Sequence, residues 1–190
     1  MSLTAADRGM KRIRLPGVIQ QWYDDYLHNR IVHADLKQSK IVVTLDRGTP
    51  QGGVLSPLLW NIVFDEMLDI FRTGPVRALG YADDGSLLVC GKDPHTLVSL
   101  LQAGLDKVTK WGQENGLNFS PTKTVAVVFG ARKTKSFPTL RLNGQTLRYS
   151  TSVKYLGVLI DNRLQFRQHI QDRCKKACLL YTSPSPRDRG

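Results

Sequence analysis

The spacing of apolar residues along the chain predicts three helices, over 16–27, 57–71 and 94–115, and a fourth is expected over 164–180. In the first three, apolar side chains recur every three or four positions, which places them on one helical face. Pro16 and Pro57 suit the first position of a helix, and Ser56 suits an N-cap. Asn115-Gly116 is a typical helix end. The fourth helix is basic as well as apolar.

Shorter stretches rich in β-forming residues predict strands over 31–36, 40–45, 76–82, 86–90, 125–129, 139–142 and 153–160. Asp83-Asp84-Gly85 lies between two of these stretches and is a strong signal for a hairpin turn. Asn143-Gly144 signals another turn. Arg47–Gly53 contains too much glycine and proline for regular structure. Helices mixed with antiparallel strands predict an α+β fold.

Composition narrows the class of protein. The chain has 190 residues, 41% of them hydrophobic and 23% charged, which is typical of about one packed domain. Three cysteines are too few for a disulfide scaffold and indicate free thiols in a reducing compartment. The chain has neither a long apolar stretch nor a signal-peptide core in Met1–Arg14. We therefore expect an intracellular protein, nuclear or cytoplasmic, that is neither secreted nor membrane-bound.

The charge balance points to a polyanionic partner. Lys and Arg total 27 against 16 Asp and Glu, a net charge of +11. An excess of this size most often indicates nucleic-acid binding. The basic clusters at Lys11–Arg14, Arg132–Lys135 and Arg163–Lys176 are dispersed, as in a folded basic groove rather than a disordered tail. A basic protein that binds no polyanion is the alternative.

Two further sets of residues receive a structural interpretation. Trp22, Trp60 and Trp111 lie on apolar helical faces, so we expect them in the core rather than as platforms for stacked bases. Cys174 and Cys178 are four positions apart on a predicted helix, but no nearby pair of Cys or His residues completes a zinc site.

Tyr81-Ala82-Asp83-Asp84 is the most informative segment for chemistry. Two carboxylates about 4 Å apart repel by roughly 4 kcal/mol at an effective dielectric constant near 20. A divalent cation offsets that repulsion, and carboxylate oxygens are ligands that Mg²⁺ prefers. Such pairs hold the ions of two-metal phosphoryl transfer. The alternative is a solvated turn, in which aspartate is common for local hydrogen bonding.

Four segments give this pair its context. They are RGTPQGGVLSPLLWN at 47–61, YADD at 81–84, GLNFSPTKT at 116–124 and VKYLGV at 153–158. With these motifs in this order, the chain resembles the reverse transcriptase of a non-LTR retrotransposon over about Arg8 to Ala177. The resemblance implies a glycine loop that opens a helix, a catalytic hairpin, a lysine motif and a primer-grip hairpin.

The implied fold is α+β, a partial reverse-transcriptase fingers and palm with an antiparallel sheet packed on helices. Residues 1–50 would be a residual fingers and palm segment, and 51–177 the palm with its primer-grip hairpin. Residues 178–190 fall outside the family. From Tyr181 onward the sequence resembles translated adaptor sequence, so we expect a disordered or foreign tail. A genuine flexible tail is the alternative.

The resemblance also implies roles for individual residues. Asp83 and Asp84 match metal-binding carboxylates, Asp83 the more consistently, for two Mg²⁺ or Mn²⁺ ions. Lys123 matches a lysine that assists the departure of pyrophosphate as a proton donor or charge partner. Contacts to the nucleotide or template are implied for Gln51, Gly52, Gly53, Tyr81 and Ala82. Primer-grip contacts are implied for Tyr155, Leu156 and Gly157.

Each of these residues also has a plainer interpretation. The glycines suit a structural turn, and Tyr81 suits a packed strand. Lys123 equally suits an exposed surface, and the segment 155–157 an ordinary buried hairpin.

The implied activity is RNA-directed DNA synthesis from deoxynucleoside triphosphates on an RNA template and a DNA primer. The first carboxylate of the family has no match before Arg47, so we expect the isolated chain to be inactive and prone to aggregation. The alternatives are a nucleic-acid-binding remnant without chemistry and a relic that neither binds nor catalyses. A polymerase that copies RNA into RNA shares the paired-aspartate hairpin, but the other motifs favour the retroelement interpretation.

Overall fold

The computed structural model describes residues 2–36, 39–45, 47–50, 52–130 and 137–182. Three sequence predictions lie outside these ranges: the nucleotide contact of Gln51, the basic cluster Arg132–Lys135 and the tail from residue 183 to Gly190.

Helices and strands alternate along the described chain. The helices are α1 (Leu3–Arg12), α2 (Gly17–Leu27), α3 (Ser56–Asp69), α4 (Pro94–Glu114) and α5 (Arg167–Thr182). The first five strands are β1 (Arg30–Leu36), β2 (Ser39–Leu45), β3 (Val76–Tyr81), β4 (Asp84–Val89) and β5 (Val125–Val127). The other five are β6 (Arg141–Leu142), β7 (Gln145–Thr146), β8 (Arg148–Ser150), β9 (Ser152–Tyr155) and β10 (Val158–Asp161). The α+β class is confirmed.

The described strands do not form the one antiparallel sheet packed on helices that the resemblance implies. Within the described residues they make five two-stranded sheets, and one of these, β5 with β8, is parallel. Helix α4 packs against both the β3–β4 hairpin and β6. Side chains of a helix, rather than hydrogen bonds between strands, therefore connect these two parts of the fold.

Helix α1 was not predicted from the sequence. Its Ser2 N-cap accepts a hydrogen bond from the backbone N–H of Ala5 at 3.3 Å, which satisfies one free donor of the first turn. The buried face consists mainly of small residues, with Ala5, Ala6 and Met10 inaccessible to solvent. Small side chains give a weak apolar stripe, although they allow α1 to pack closely on α3.

The main core lies where α3 meets α1, α2 and α4. Helix α3 contributes Leu59, Val63, Phe64 and Met67, all buried. A second, smaller core joins α4 to the strands that follow it, and its buried members are Val98, Leu140, Leu142 and Leu147. Within the part of the chain that the structure describes, no helix is long and apolar enough to span a bilayer.

A polar network ties the first helix to this core. Arg8 donates two hydrogen bonds to the carboxylate of Glu66, at 2.9 and 3.2 Å, and one to Oδ1 of Asn115 at 2.7 Å. The indole N–H of Trp111 also donates to Glu66, at 3.2 Å. These hydrogen bonds, that of Arg8 foremost, hold the pKa of Glu66 below its ordinary value. Helices α1, α3 and α4 are thereby joined through one carboxylate.

Apolar side chains of β1, β2 and α2 are open to solvent. The paired strands β1 and β2 expose Val32, Ile41 and Val43, which lie on one face according to the register. On α2, Trp22 is 50% exposed, so its predicted core position is wrong. The prediction holds for Trp111, which is buried, while Trp60 is partly buried against the core. Amphipathic spacing identifies an apolar face but not whether another element covers it.

Candidate functional site

The paired aspartates lie at the tip of the β3–β4 hairpin. The turn consists of Ala82 and Asp83, and Asp84 is the first residue of β4, paired with Tyr81. The predicted turn at 83–85 was therefore placed too late along the chain. Gly85 instead pairs with Gly80 in the ladder, and a two-residue turn suits the twist of antiparallel strands.

The turn is held by a tryptophan from α3. Ala82 has φ of 50°, a left-handed conformation that costs a non-glycine residue about 1–2 kcal/mol. The indole N–H of Trp60 donates a hydrogen bond to the Ala82 carbonyl at 2.5 Å. The Trp60 ring stacks on Phe64, with centroids 5.5 Å apart and planes 18° apart. Trp60 thus fixes the turn that carries Asp83 to the core helix.

The backbone of β3 packs directly on α3 below the turn. A Cβ atom added to Gly80 would lie 2.5 Å from Cε1 of Phe64 and 3.3 Å from Leu68. Only a residue without a side chain permits this approach. This close packing fixes the distance between the tip of the β3–β4 hairpin and α3.

The glycine loop precedes α3 and is closed on itself. The Pro50 carbonyl accepts hydrogen bonds from the Gly53 N–H at 3.1 Å and from the Ser56 hydroxyl at 2.7 Å. A Cβ on Gly53 would lie 2.8 Å from the Ser56 oxygen and 3.1 Å from the Tyr26 hydroxyl, so no side chain fits there. Gly52 has φ of +80° and faces open space, which leaves its backbone accessible.

The base of this loop is anchored by Arg30, the first residue of β1. Its guanidinium donates to the carbonyls of Leu27 at 3.0 Å, Arg47 at 3.0 Å and Gly48 at 2.7 Å. One side chain therefore joins the end of α2 to the start of the loop. Sequence reasoning missed Arg30, because no motif marks an arginine that bonds only to backbone.

The glycine loop and the hairpin turn are each bonded to the N-terminal half of α3. Ser56 closes the loop, and Trp60, one helical turn further on and about 6 Å along the axis, holds the turn. One helix thus positions two of the predicted site segments, the loop with Gly52 and Gly53 and the hairpin from Tyr81 to Asp84. Sequence reasoning assigned Trp60 only to the core and missed its contact with the turn.

The carboxylates of Asp83 and Asp84 are exposed to solvent. Their oxygens are the donor type that Mg²⁺ binds. Among the residues that the structure describes, no group of three or more His, Cys, Asp or Glu side chains is placed to hold a metal ion. The two aspartates therefore fit a divalent cation by donor type but do not complete a two-ion site.

Lys123 is exposed in a turn that follows α4. The turn is closed by Thr124, whose N–H and hydroxyl donate to the Ser120 carbonyl at 3.1 and 2.8 Å. Before it, Phe119 packs near Trp111 with ring centroids 6.3 Å apart. Lys123 is thus positioned by the end of α4 rather than by α3.

The segment predicted as one strand over 153–160 is two strands, β9 and β10. They are joined by Leu156, with φ of 47°, and Gly157, with φ of 81°. Tyr155 is half-buried, while Leu156 is 46% exposed. Arg173 of α5 donates a hydrogen bond to the Gly157 carbonyl at 2.5 Å, a contact that no motif in the sequence predicts.

Comparison with known proteins agrees with the motifs. The family described as reverse transcriptase (RNA-dependent DNA polymerase) matches residues 1–160. The RNA-directed DNA polymerase from mobile element jockey of Drosophila melanogaster is 30% identical over 151 residues, 76% of this chain and 16% of that protein. The jockey polymerase of Drosophila funebris is 30% identical over 131 residues, 66% of this chain and 14% of that protein.

A third relative is the retrovirus-related Pol polyprotein from type-1 retrotransposable element R1 of Bradysia coprophila. It is 28% identical over 145 residues, 76% of this chain and 14% of that protein, so the chain spans a small part of such relatives. No solved structure matches the chain. The family match over most of the sequence shows that the chain belongs to the reverse transcriptase (RNA-dependent DNA polymerase) family, and it is related to the polymerases of the non-LTR retrotransposons R1 and jockey.

Proposed function

We propose that this chain is the palm part of an RNA-directed DNA polymerase of a non-LTR retroelement. Its partners are an RNA template, a DNA primer and deoxynucleoside triphosphates, and its location is inside the cell, nuclear or cytoplasmic. The observation that carries the proposal is that the glycine loop and the aspartate turn are both bonded to side chains of the first turns of α3. A polymerase needs backbone that approaches a nucleotide closely beside carboxylates that bind metal.

In this proposal the exposed backbone of Gly52 and that of its neighbour Gly53 contact the incoming nucleotide and the template. Gln51, which lies outside the described residues, is proposed to contact the same ligands. Tyr81 at the end of β3 and Ala82 in the turn would also contact the nucleotide or template. Gly53 has no room for a side chain and Gly52 requires positive φ, which supports a loop kept free of side chains.

Asp83 and Asp84 are the proposed metal ligands. When bound, Mg²⁺ or Mn²⁺ would supply electrostatic stabilisation of the charge that develops on phosphoryl oxygens. The described residues contribute only these two carboxylates to the turn. We therefore propose that the isolated chain does not extend a primer and that the intact protein supplies further ligands for a second ion.

The remaining proposed residues contact the leaving group and the primer. Lys123, exposed in its turn, would pair with or protonate the departing pyrophosphate. Tyr155, Leu156 and Gly157 would form the primer grip. The turn is exposed, and Arg173 donates a hydrogen bond to its Gly157 carbonyl. This supports the role, because a fixed backbone can bind a phosphodiester chain at little entropic cost.

Binding of Mn²⁺, a paramagnetic substitute for Mg²⁺, tests the metal site without requiring turnover. We expect Mn²⁺ to broaden the amide NMR signals of residues 82–85 in the wild-type chain. Asp83→Asn should abolish the broadening, whereas Asp106→Asn, which changes an exposed aspartate on α4, should leave it intact. Broadening that is absent, or that survives Asp83→Asn, would contradict the proposed ligands.

A primer annealed to an RNA template tests the substrate. We expect binding that weakens steeply with salt, because lysine and arginine contacts to phosphates release counterions. We expect no extension when deoxynucleoside triphosphates are added. Robust extension that Asp83→Asn abolishes would overturn the proposed inactivity of the isolated chain while supporting the parent activity.

The second candidate function is a nucleic-acid-binding remnant without chemistry. The exposed, incomplete carboxylate set favours it. Salt-sensitive binding without any Mn²⁺ broadening at the hairpin would select this candidate over the polymerase.

A further inference from the structure

Arg30 fixes the start of the glycine loop, residues 47–53, from a position outside it. Its Nε donates to the Leu27 carbonyl at 3.0 Å, and its Nη2 donates to the carbonyls of Arg47 at 3.0 Å and Gly48 at 2.7 Å. The three acceptors lie on two elements, the last residue of α2 and the first two residues of the loop. A side chain that only closed the end of α2 would need only the first of these bonds. The Arg30 side chain therefore sets where the loop begins relative to α2.

The other end of the loop is also fixed, and it too lies beside α2. The Gly53 N–H and the Ser56 hydroxyl both donate to the Pro50 carbonyl, at 3.1 and 2.7 Å. The hydroxyl of Tyr26, on α2, is 3.1 Å from the position that a Cβ of Gly53 would occupy. Between these two fixed ends, Gly52 has φ of +80° and faces open space. The loop thus presents a short stretch of backbone to solvent in a set orientation.

The bonds at the base of the loop depend on the shape of the arginine side chain. A guanidinium is planar and carries five N–H donors in fixed directions, so it can point at separate carbonyls at once. A lysine ammonium carries the same charge, but as a compact group at the end of a flexible stem. Lysine at position 30 would therefore retain the charge without holding all three carbonyls in one geometry.

We propose that Arg30 is a positioning residue for the contact between the glycine loop and the nucleic-acid template. This inference rests on the proposed function, in which the backbone of Gly52 and Gly53 makes that contact. Arg30 touches no ligand in this proposal and acts through the loop. It holds the loop backbone in its binding orientation before the template arrives, so that less conformational entropy is lost on binding.

Hydrogen exchange in the full chain measures whether Arg30 holds the loop. The Gly53 N–H is bonded to the Pro50 carbonyl, so its exchange rate reports opening of the loop. The rate should rise roughly tenfold in Arg30→Lys, the effect expected when a bond from a charged donor is lost. Arg77→Lys is the matched control, because Arg77 also donates to a backbone carbonyl, that of Arg72 at 3.2 Å, but lies on β3. This control should leave the exchange of Gly53 unchanged.

Chemical rescue identifies the guanidinium itself. In Arg30→Ala, ethylguanidinium at millimolar concentration should restore slow exchange of the Gly53 N–H. Ethylammonium, which has the charge without the planar set of donors, should not restore it. A residue that only filled space would not give this difference. Circular dichroism and thermal melting show whether Arg30→Ala retains the fold, and if it does not, exchange and template binding of Arg30→Lys decide the matter.

Template binding tests whether the held loop matters to a ligand. The probe is a DNA primer annealed to an RNA template that has an unpaired overhang. Arg30→Lys should bind it roughly tenfold more weakly, the cost of ordering about one residue of backbone on binding. Arg77→Lys should bind it as the wild-type chain does. The slope of log affinity against log salt should be the same in Arg30→Ala and the wild type, because Arg30 contacts no phosphate in this proposal.

The outcomes separate this inference from the proposed function. Arg30→Lys that binds the primer–template as tightly as the wild type would overturn the positioning role and leave the proposed function in place. The same holds for unchanged Gly53 exchange in both Arg30 variants, and for rescue by ethylammonium as complete as that by ethylguanidinium. A salt slope reduced by about one in Arg30→Ala would make Arg30 a direct phosphate contact and overturn positioning through the loop. A wild-type chain that does not bind the primer–template would overturn both.

Discussion

Gly80 and Gly85 form a matched pair for testing how the aspartate hairpin is packed. They are paired with each other across β3 and β4, and neither has the positive φ that penalises alanine. An added Cβ at Gly80 would lie 2.5 Å from Phe64, whereas at Gly85 the nearest atom, also of Phe64, is 3.5 Å away. Gly80→Ala should therefore be destabilising and Gly85→Ala should not.

The magnitude follows from the difference between the two sites. Replacing glycine by alanine stabilises by about 0.4–1 kcal/mol through the unfolded chain, and this gain is common to both variants. At Gly80 the methyl group must displace Phe64, which is 5% exposed and packed between Trp60 and Trp111. Overpacking of this kind costs about 1–3 kcal/mol. The free energies of unfolding of the two variants should differ by that amount.

Urea denaturation measures the difference. With a slope of about 2 kcal/mol per molar urea, the midpoint of Gly80→Ala should lie roughly 0.5–1.5 M below that of Gly85→Ala. The slopes should agree, which shows that both variants unfold the same structure. Equal midpoints would refute the packing of β3 on Phe64 and with it the fixed height of the aspartate turn.

Three further predictions concern the elements around the site. Trp60→Phe keeps the ring but removes the hydrogen bond to the Ala82 carbonyl, so it should cost about 0.5–1.5 kcal/mol in urea and weaken Mn²⁺ binding measured by NMR. Ser56→Ala removes the hydroxyl bonded to the Pro50 carbonyl. It should lower the free energy of unfolding by about 0.5–1.5 kcal/mol and leave Mn²⁺ binding unchanged. The hydrogen bonds that lower the pKa of Glu66 stabilise the fold when this carboxylate is ionised. The contribution of Glu66 to stability is therefore present above about pH 4.3, the pKa of an unperturbed glutamate, and is lost as pH falls through the lower pKa of the folded state. In Glu66→Gln, the free energy of unfolding should therefore decrease less steeply as the pH is lowered below about 4.3.

Each of these has an outcome that contradicts it. Unchanged stability and Mn²⁺ affinity in Trp60→Phe would mean that the indole N–H does not hold the turn. A Ser56→Ala variant as stable as the wild type would mean that the loop is closed by other contacts. An acid limb of the same steepness in Glu66→Gln would assign the pH dependence to other carboxylates.

Periodicity in the sequence predicted α2, α3 and α4 well, because the spacing of apolar residues is itself what places a helix against a core. It did not predict α1, whose buried face is built on Ala5 and Ala6. The β3–β4 hairpin was predicted, but its turn was displaced. Gly85 pairs in the ladder and lies near Phe64, and the positive φ falls on Ala82 instead. This choice depends on a tertiary contact, which the local sequence does not show.

The candidate site was predictable as a set of segments but not as an arrangement. Motif order identified the glycine loop and the aspartate turn separately. The attachment of the aspartate turn to α3 depends on Trp60, which contacts a residue 22 positions away and carries no mark in the sequence other than its place on an apolar face. The exposure of Trp22 was mispredicted for the same reason, since burial of a helical face is decided by the neighbouring elements.

The network around Glu66 has a consequence for how related chains diverge. Its carboxylate is bonded to Arg8 and Trp111, and Arg8 is bonded in turn to the buried Asn115. A change at any one of the four removes a hydrogen bond from a partly buried polar group of the network, and leaving such a group unsatisfied costs more than losing the bond itself. Substitutions at these four positions, on α1, on α3 and at the C-terminal end of α4, should therefore be inherited together across the family, as a correlated set that spans 107 positions of the chain.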